Sequence, residues 1–88
     1  MTNDDVARRL QQQARKLAEK YGNLYRIRAY RRAAQTVLGL ARPVADLRAW
    51  ELESLPGIGD HLALAITHYV RTGDWKTYEE LTASNLAI

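Results

Sequence analysis

The sequence predicts an all-α fold: a compact bundle of four to five short helices, in a single domain spanning residues 1–88. Three observations carry that reading. Apolar residues recur at spacings of three and four, and no stretch alternates in twos as a half-buried strand would. Stop and start residues punctuate the chain at Gly22-Asn23, Gly39 to Pro43, Pro56 to Gly59 and Gly73. With 88 residues, 47% of them hydrophobic, the chain has material for one modest core.

The first helix begins at Asn3-Asp4-Asp5, whose acids suit the positive end of a helix dipole. Val6, Leu10, Ala14, Leu17 and Tyr21 make one apolar stripe, while Arg8, Arg9, Arg15, Lys16 and Lys20 occupy other faces. Gly22-Asn23 ends this helix and caps the next. The second helix is expected from about Leu24 to Leu40, with a stripe of Leu24, Ile27, Tyr30 or Arg31, Ala34, Val37 and Leu38. Ala29, Ala33 and Ala34 are small enough to let a neighbouring helix close in, and Pro43 forbids continuation.

Asp46-Leu47 is expected to cap a short third helix through Trp50, Leu52 and Leu55, with Trp50 as a core or satellite-core anchor. Leu55-Pro56-Gly57-Ile58-Gly59 then turns sharply. Asp60, a good N-cap residue, opens a helix running to about Thr72 with Leu62, Ala63, Ile66, Tyr69 and Val70 at helical spacing. Gly73 supplies the stop, Trp75 to Leu81 makes a last short helix, and Asn85 to Ile88 are expected to fray.

Composition excludes several functions. With no Cys, neither a disulfide framework nor a thiolate metal site is possible. His61 and His68 stand seven apart, whereas a helical metal pair needs three or four. Ser54 and Ser84 lack His and acid partners for a triad. Met1 to Asp5 is polar and acidic with no apolar run after it, so no signal peptide is expected. No apolar run is long enough to span a membrane, and a cytoplasmic location is expected.

The net charge of +3 is small, but its distribution is informative. Between Tyr21 and Arg42 lie Arg26, Arg28, Arg31 and Arg32 with no Asp or Glu, an electrostatic footprint suited to phosphates. Arg28, Arg31 and Arg32 share one side of the helical wheel and Arg26 the other. At the turn, Gly57 and Gly59 leave the backbone bare for a phosphate, and the helix start behind them offers free N–H groups and a positive dipole end. Asp60 and His61 stand at that start.

The pattern Leu55-Pro56-Gly57-Ile58-Gly59, followed by Ala63 and Ile66, resembles a helix-hairpin-helix, a sequence-independent binder of the DNA backbone. Together with Arg26-Ile27-Arg28-Ala29-Tyr30-Arg31-Arg32-Ala33-Ala34 and Thr72-Gly73, it resembles the amino-terminal lyase domain of X-family DNA polymerases, DNA polymerase beta among them. The likeness covers nearly the whole chain, without the polymerase catalytic domains.

The resemblance implies binding to duplex or gapped DNA through a downstream phosphate, in DNA repair. Arg26 stands at a basic pocket position, Tyr30 at the pocket Tyr, and His61 and Thr77 where the family has Lys. The lyase lysine, which forms a Schiff base with deoxyribose phosphate, is replaced by Ala65, so no enzymatic activity is expected. The resemblance also implies a monovalent cation, Na+ or K+, on the backbone carbonyls of Glu53, Leu55 and Ile58. Two alternatives stand beside this reading. One is a protein-interaction module docking at Leu64 and Ala65; the other is a residual lyase using a substitute lysine such as Lys76.

Overall fold

A computed structural model describes the backbone of residues 1–86 and the side chains of residues 1–83. Its helices are α1 (Asn3–Glu19), α2 (Leu24–Leu38), α3 (Ala49–Glu53), α4 (Asp60–Thr72) and α5 (Tyr78–Leu86), with a 3-10 turn at Val44–Asp46 before α3. No strand occurs among the described residues.

α1 starts one residue before the acids. Thr2 is the N-cap: its hydroxyl accepts the Asp5 N–H at 3.1 Å, and the Asp5 carboxylate accepts the Thr2 N–H at 2.9 Å. Those bonds hold the Asp5 carboxyl below the ordinary value, with the Arg8 charge adding to the same direction. At the other end the Gly22 N–H bonds the Leu17 carbonyl and the Tyr21 N–H bonds the Ala18 carbonyl. This closure needs a left-handed residue at its centre, and Tyr21 takes it with φ +54. Tyr21 is therefore outside the helix and 98% exposed, not part of the stripe. Asn23 caps α2 as expected, its Oδ1 accepting the Tyr25 N–H at 2.7 Å.

The core lies where α1 meets α2, closed below by α3, the hairpin and α4. Val6, Leu10 and Ala14 pack with Ile27, Ala33, Ala34 and Val37, and with Val44, Leu52, Ile58, Ala63 and Ile66. Each fully buried Leu, Ile or Val contributes roughly 1.5–3 kcal/mol by leaving water. The alanines matter by size: Ala33 and Ala34 are wholly buried, so α1 sits close against α2. On α2, Tyr30 rather than Arg31 takes the core position, while Leu24 and Leu38 stay exposed. Asn3 fastens the chain beyond α2, donating to the Arg42 carbonyl at 3.0 Å and accepting the Val44 N–H at 2.7 Å.

Three expectations are corrected here. The third helix is only Ala49–Glu53, because Leu47 and Arg48 adopt extended backbone after the 3-10 turn. The Glu51 carboxylate accepts the Arg48 N–H at 3.0 Å, which starts α3 later than Asp46 would. Trp50 is 67% exposed and anchors no core; a five-residue helix buries only Leu52 fully. The other tryptophan does the anchoring. Trp75 lies in the segment between α4 and α5, not in a helix. It meets Tyr30 and Tyr69 edge-to-face at 6.3 and 5.7 Å, with the Arg9 guanidinium 5.1 Å over its ring.

α5 consequently begins at Tyr78. Thr77 caps it: the Thr77 hydroxyl accepts the Glu80 N–H, and the Glu80 carboxylate accepts the Thr77 N–H, both at 3.2 Å. Of the tail expected to fray, Asn85 and Leu86 are helical, and residues 87 and 88 lie outside the described residues. Gly73 ends α4 with φ +74, as its place after Thr72 predicts.

Candidate nucleic-acid interface

The turn between α3 and α4 is built by local chemistry. The Ile58 N–H donates to the Leu55 carbonyl at 3.0 Å, with Pro56 second and Gly57 third in the four-residue turn. Gly57 has φ +79, the left-handed angle a type II turn requires there. Ile58 points inward and is buried, which pins the turn to the core. Thr36 of α2 donates its hydroxyl to the Pro56 carbonyl at 2.7 Å and ties the turn to the arginine helix.

The two glycines have different jobs. A Cβ on Gly57 would fall 2.8 Å from Cγ of Arg32, so the bare Gly57 makes room for the Arg32 stem rather than for a phosphate. At Gly59 a Cβ would meet nothing within 4 Å. Gly59, with φ −93 and ψ −170, is the N-cap of α4. Asp60 is thus the first residue of the helix, not its cap, a correction that matters for the site. The carboxylate of Asp60 accepts only the adjacent His61 N–H, at 2.9 Å, and α4 has no side-chain cap. At Gly59 the helix start is open, with backbone donors and a positive dipole end behind it.

This helix start opens into a cleft of about 270 Å³ between α2, α4 and α5. Gly57, Gly59, Asp60, His61, Arg26 and Tyr30 all line it, so six of the expected site residues converge. Tyr30 is both core and site: it is only 5% exposed, yet the Arg26 guanidinium acts on its hydroxyl at the cleft wall. Burial raises the Tyr30 hydroxyl above its ordinary value, while Arg26 pulls the other way. Ala65 also lines the cleft. Leu64 points out to solvent while Ala65 is 1% exposed, so the two form no common docking patch.

Arg28, Arg31 and Arg32 are exposed on the opposite side of α2 and do not line the cleft. Arg32 nonetheless reaches the hairpin through its stem on Gly57. The chain therefore offers cations on both flanks of the turn. His68 is half-buried, and its Nε2 is buried without a hydrogen-bond partner. Among the described residues no group of His, Asp or Glu is arranged to hold a metal ion.

Sequence reading missed the residues that α5 brings. Tyr78 and Glu79 complete the cleft. The Tyr78 ring stacks on His61 at 3.6 Å, 5° from parallel, and Glu79 Oε1 pairs with Arg26 Nη2 at 3.1 Å. No local signal marks either residue, because their role depends on how Trp75 turns the chain back over α4. Tyr25 joins the same rim from α2.

Residues 1–75 match the family model of the helix-hairpin-helix domain. The chain belongs to that family. Helix-hairpin-helix domains generally bind DNA without regard to sequence, which agrees with an uncapped helix start beside an arginine helix. No curated protein sequence matches the chain. No helix among the described residues is long and apolar enough to cross a membrane.

Proposed function

We propose that this helix-hairpin-helix domain is a non-enzymatic DNA-backbone binder of the X-family polymerase lyase type, acting on gaps or ends in DNA repair. The observation that carries the reading is the uncapped start of α4, with Gly59 open to solvent and Arg26 and Tyr30 on the facing wall. One phosphate takes the N–H groups of the first turn of α4, acting as the cap the sequence does not provide. Arg28, Arg31 and Arg32 attract the neighbouring phosphates along the strand. Base readout is not part of the reading, because backbone contacts position DNA without specifying sequence.

The reading is non-enzymatic because Ala65 stands on the cleft wall where the lyase family carries its lysine, and an alanine has no amine to form a Schiff base. Lys76 is not on that wall, and Thr77, at another family lysine position, is spent capping α5. A monovalent cation belongs to the same reading. Glu53 ends α3, so its carbonyl lacks a helical partner, and the Leu55 carbonyl keeps a second lone pair beside its bond from Ile58. Neutral oxygens of this kind suit Na+ or K+.

The deciding experiment is a titration of labelled duplex, gapped and single-stranded oligonucleotides at several salt concentrations. Modest affinity is expected, with a slope of log K against log salt equivalent to roughly two to four phosphates. Failure to bind any DNA at low salt sinks the reading. It leaves a protein-docking alternative, at exposed Trp50 beside Leu40, Leu47 and Leu55 rather than at Leu64 and Ala65.

A further inference from the structure

We infer that Glu79 is an internal competitor for the phosphate site: it holds Arg26 as a DNA phosphate would, and thereby sets how much of the cleft a phosphate can use. The inference rests on the DNA-binding reading and adds a residue outside the hairpin. Its first support is geometry. Glu79 Oε1 lies 3.1 Å from Arg26 Nη2, and both residues line the cleft beside Tyr30. A carboxylate offers a guanidinium fork the same planar pair of acceptors that a phosphate does.

Charge supplies the second support. The cleft lining carries one arginine against two carboxylates, Asp60 and Glu79. Glu80 also acts on Tyr30 from the same turn of α5. With one arginine against two carboxylates, the pocket is not basic while Glu79 is seated, although the domain as a whole is. A phosphate gains Nη2 of Arg26 only by moving Glu79 away.

The third support is what seats the acid. Tyr78, one residue before Glu79, lies flat on His61 at 3.6 Å. That stack presses the first turn of α5 against the first turn of α4 and directs Glu79 inward. Both members of the ion pair are about half exposed, so the pair is weak and exchangeable, a latch rather than a lock. The outer arginines, Arg28, Arg31 and Arg32, face no such acid in the cleft, so they make the first contacts with DNA and the cleft engages second.

The test compares wild type, Glu79→Gln, Arg26→Gln and the double variant, with folding checked by circular dichroism. Glu79→Gln is expected to bind a labelled gapped duplex about two- to fivefold more tightly, the worth of a half-exposed ion pair. Its salt slope should steepen by about 0.9, one added phosphate contact. In the Arg26→Gln background the same change should do nothing. An equal gain in both backgrounds means a general charge effect and overturns the inference, as does no gain at all. Inorganic phosphate is titrated in parallel, followed by the ring resonances of His61 and Tyr78. If no variant binds DNA, the DNA reading fails; the competitor then stands if Glu79→Gln binds inorganic phosphate more tightly, and falls if the two proteins respond alike.

Discussion

Gly59→Asp is expected to stabilise the protein and weaken its hold on DNA at once. The position is the N-cap of α4, has φ −93 and ψ −170, and has no atom within 4 Å of a new Cβ. An aspartate therefore fits without strain and accepts an N–H of the first turn. Replacing a glycine cap by aspartate is worth a few tenths of a kcal/mol, roughly 1–3 °C in Tm for a domain of this size. The same carboxylate occupies the donors that a phosphate needs and adds a like charge beside it. Losing one charge-assisted hydrogen bond costs about 1.5–3 kcal/mol, so Kd should rise about 10- to 150-fold. The salt slope should flatten by about 0.9. Gly59→Ser separates the causes, because it takes the donors without adding charge and should lose less. Fluorescence anisotropy across a salt series, beside thermal melts, reads all three quantities. A Gly59→Asp protein that melts at or above the wild-type temperature and binds with unchanged affinity and slope would refute the hairpin as the contact.

The left-handed residues give opposite outcomes. Gly57→Ala should destabilise by about 1–2 kcal/mol for its φ of +79, with a Tm fall of roughly 4–16 °C; adding Arg32→Ala should relieve the clash with the Arg32 stem but not the backbone strain. Tyr21→Gly should stabilise by about 0.5–1 kcal/mol, because a fully exposed tyrosine at φ +54 loses strain and no packing, and an unchanged melt would contradict this. Burial raises the Tyr30 hydroxyl above 10.0, so the unfolded chain releases this proton first. The associated stability is whole below about pH 10 and is lost as pH climbs through the folded value; Tyr30→Phe should remove that alkaline decline in urea melts. Borohydride should trap no adduct between the unmodified protein and an incised abasic site, whereas Ala65→Lys places an amine in the cleft and should yield weak trapping. Efficient trapping by the unmodified protein, abolished by Lys76→Ala, would establish a lyase instead.

The elements legible in the sequence are those whose causes are local. The Asn23 cap, the Gly73 stop and the Pro56-Gly57 turn each depend on backbone angles and hydrogen bonds within a few residues, so residue type alone specifies them. The stripe Val6-Leu10-Ala14 reports the buried face of α1 for the same reason, since helix geometry sets it. The convergence of Arg26, Tyr30 and the hairpin was implied only by the family resemblance that two short blocks carry. What depended on which faces meet was not local. Two tryptophans of equal hydrophobicity end in opposite environments: Trp50 rides a helix too short to fix its face, and Trp75 fills a space shared by α1, α2 and α4. The lodging of Trp75 sets where α5 starts, and so brings Tyr78 to His61 and Glu79 to Arg26. The stem of Arg32 over Gly57 is likewise a contact between elements distant in sequence. Local chemistry determined a Pro-Gly turn opening a helix and an arginine helix before it; only the tertiary structure showed that helix start to be uncapped, and only the packing of α5 brought Glu79, a second acid beside Asp60, into the cleft.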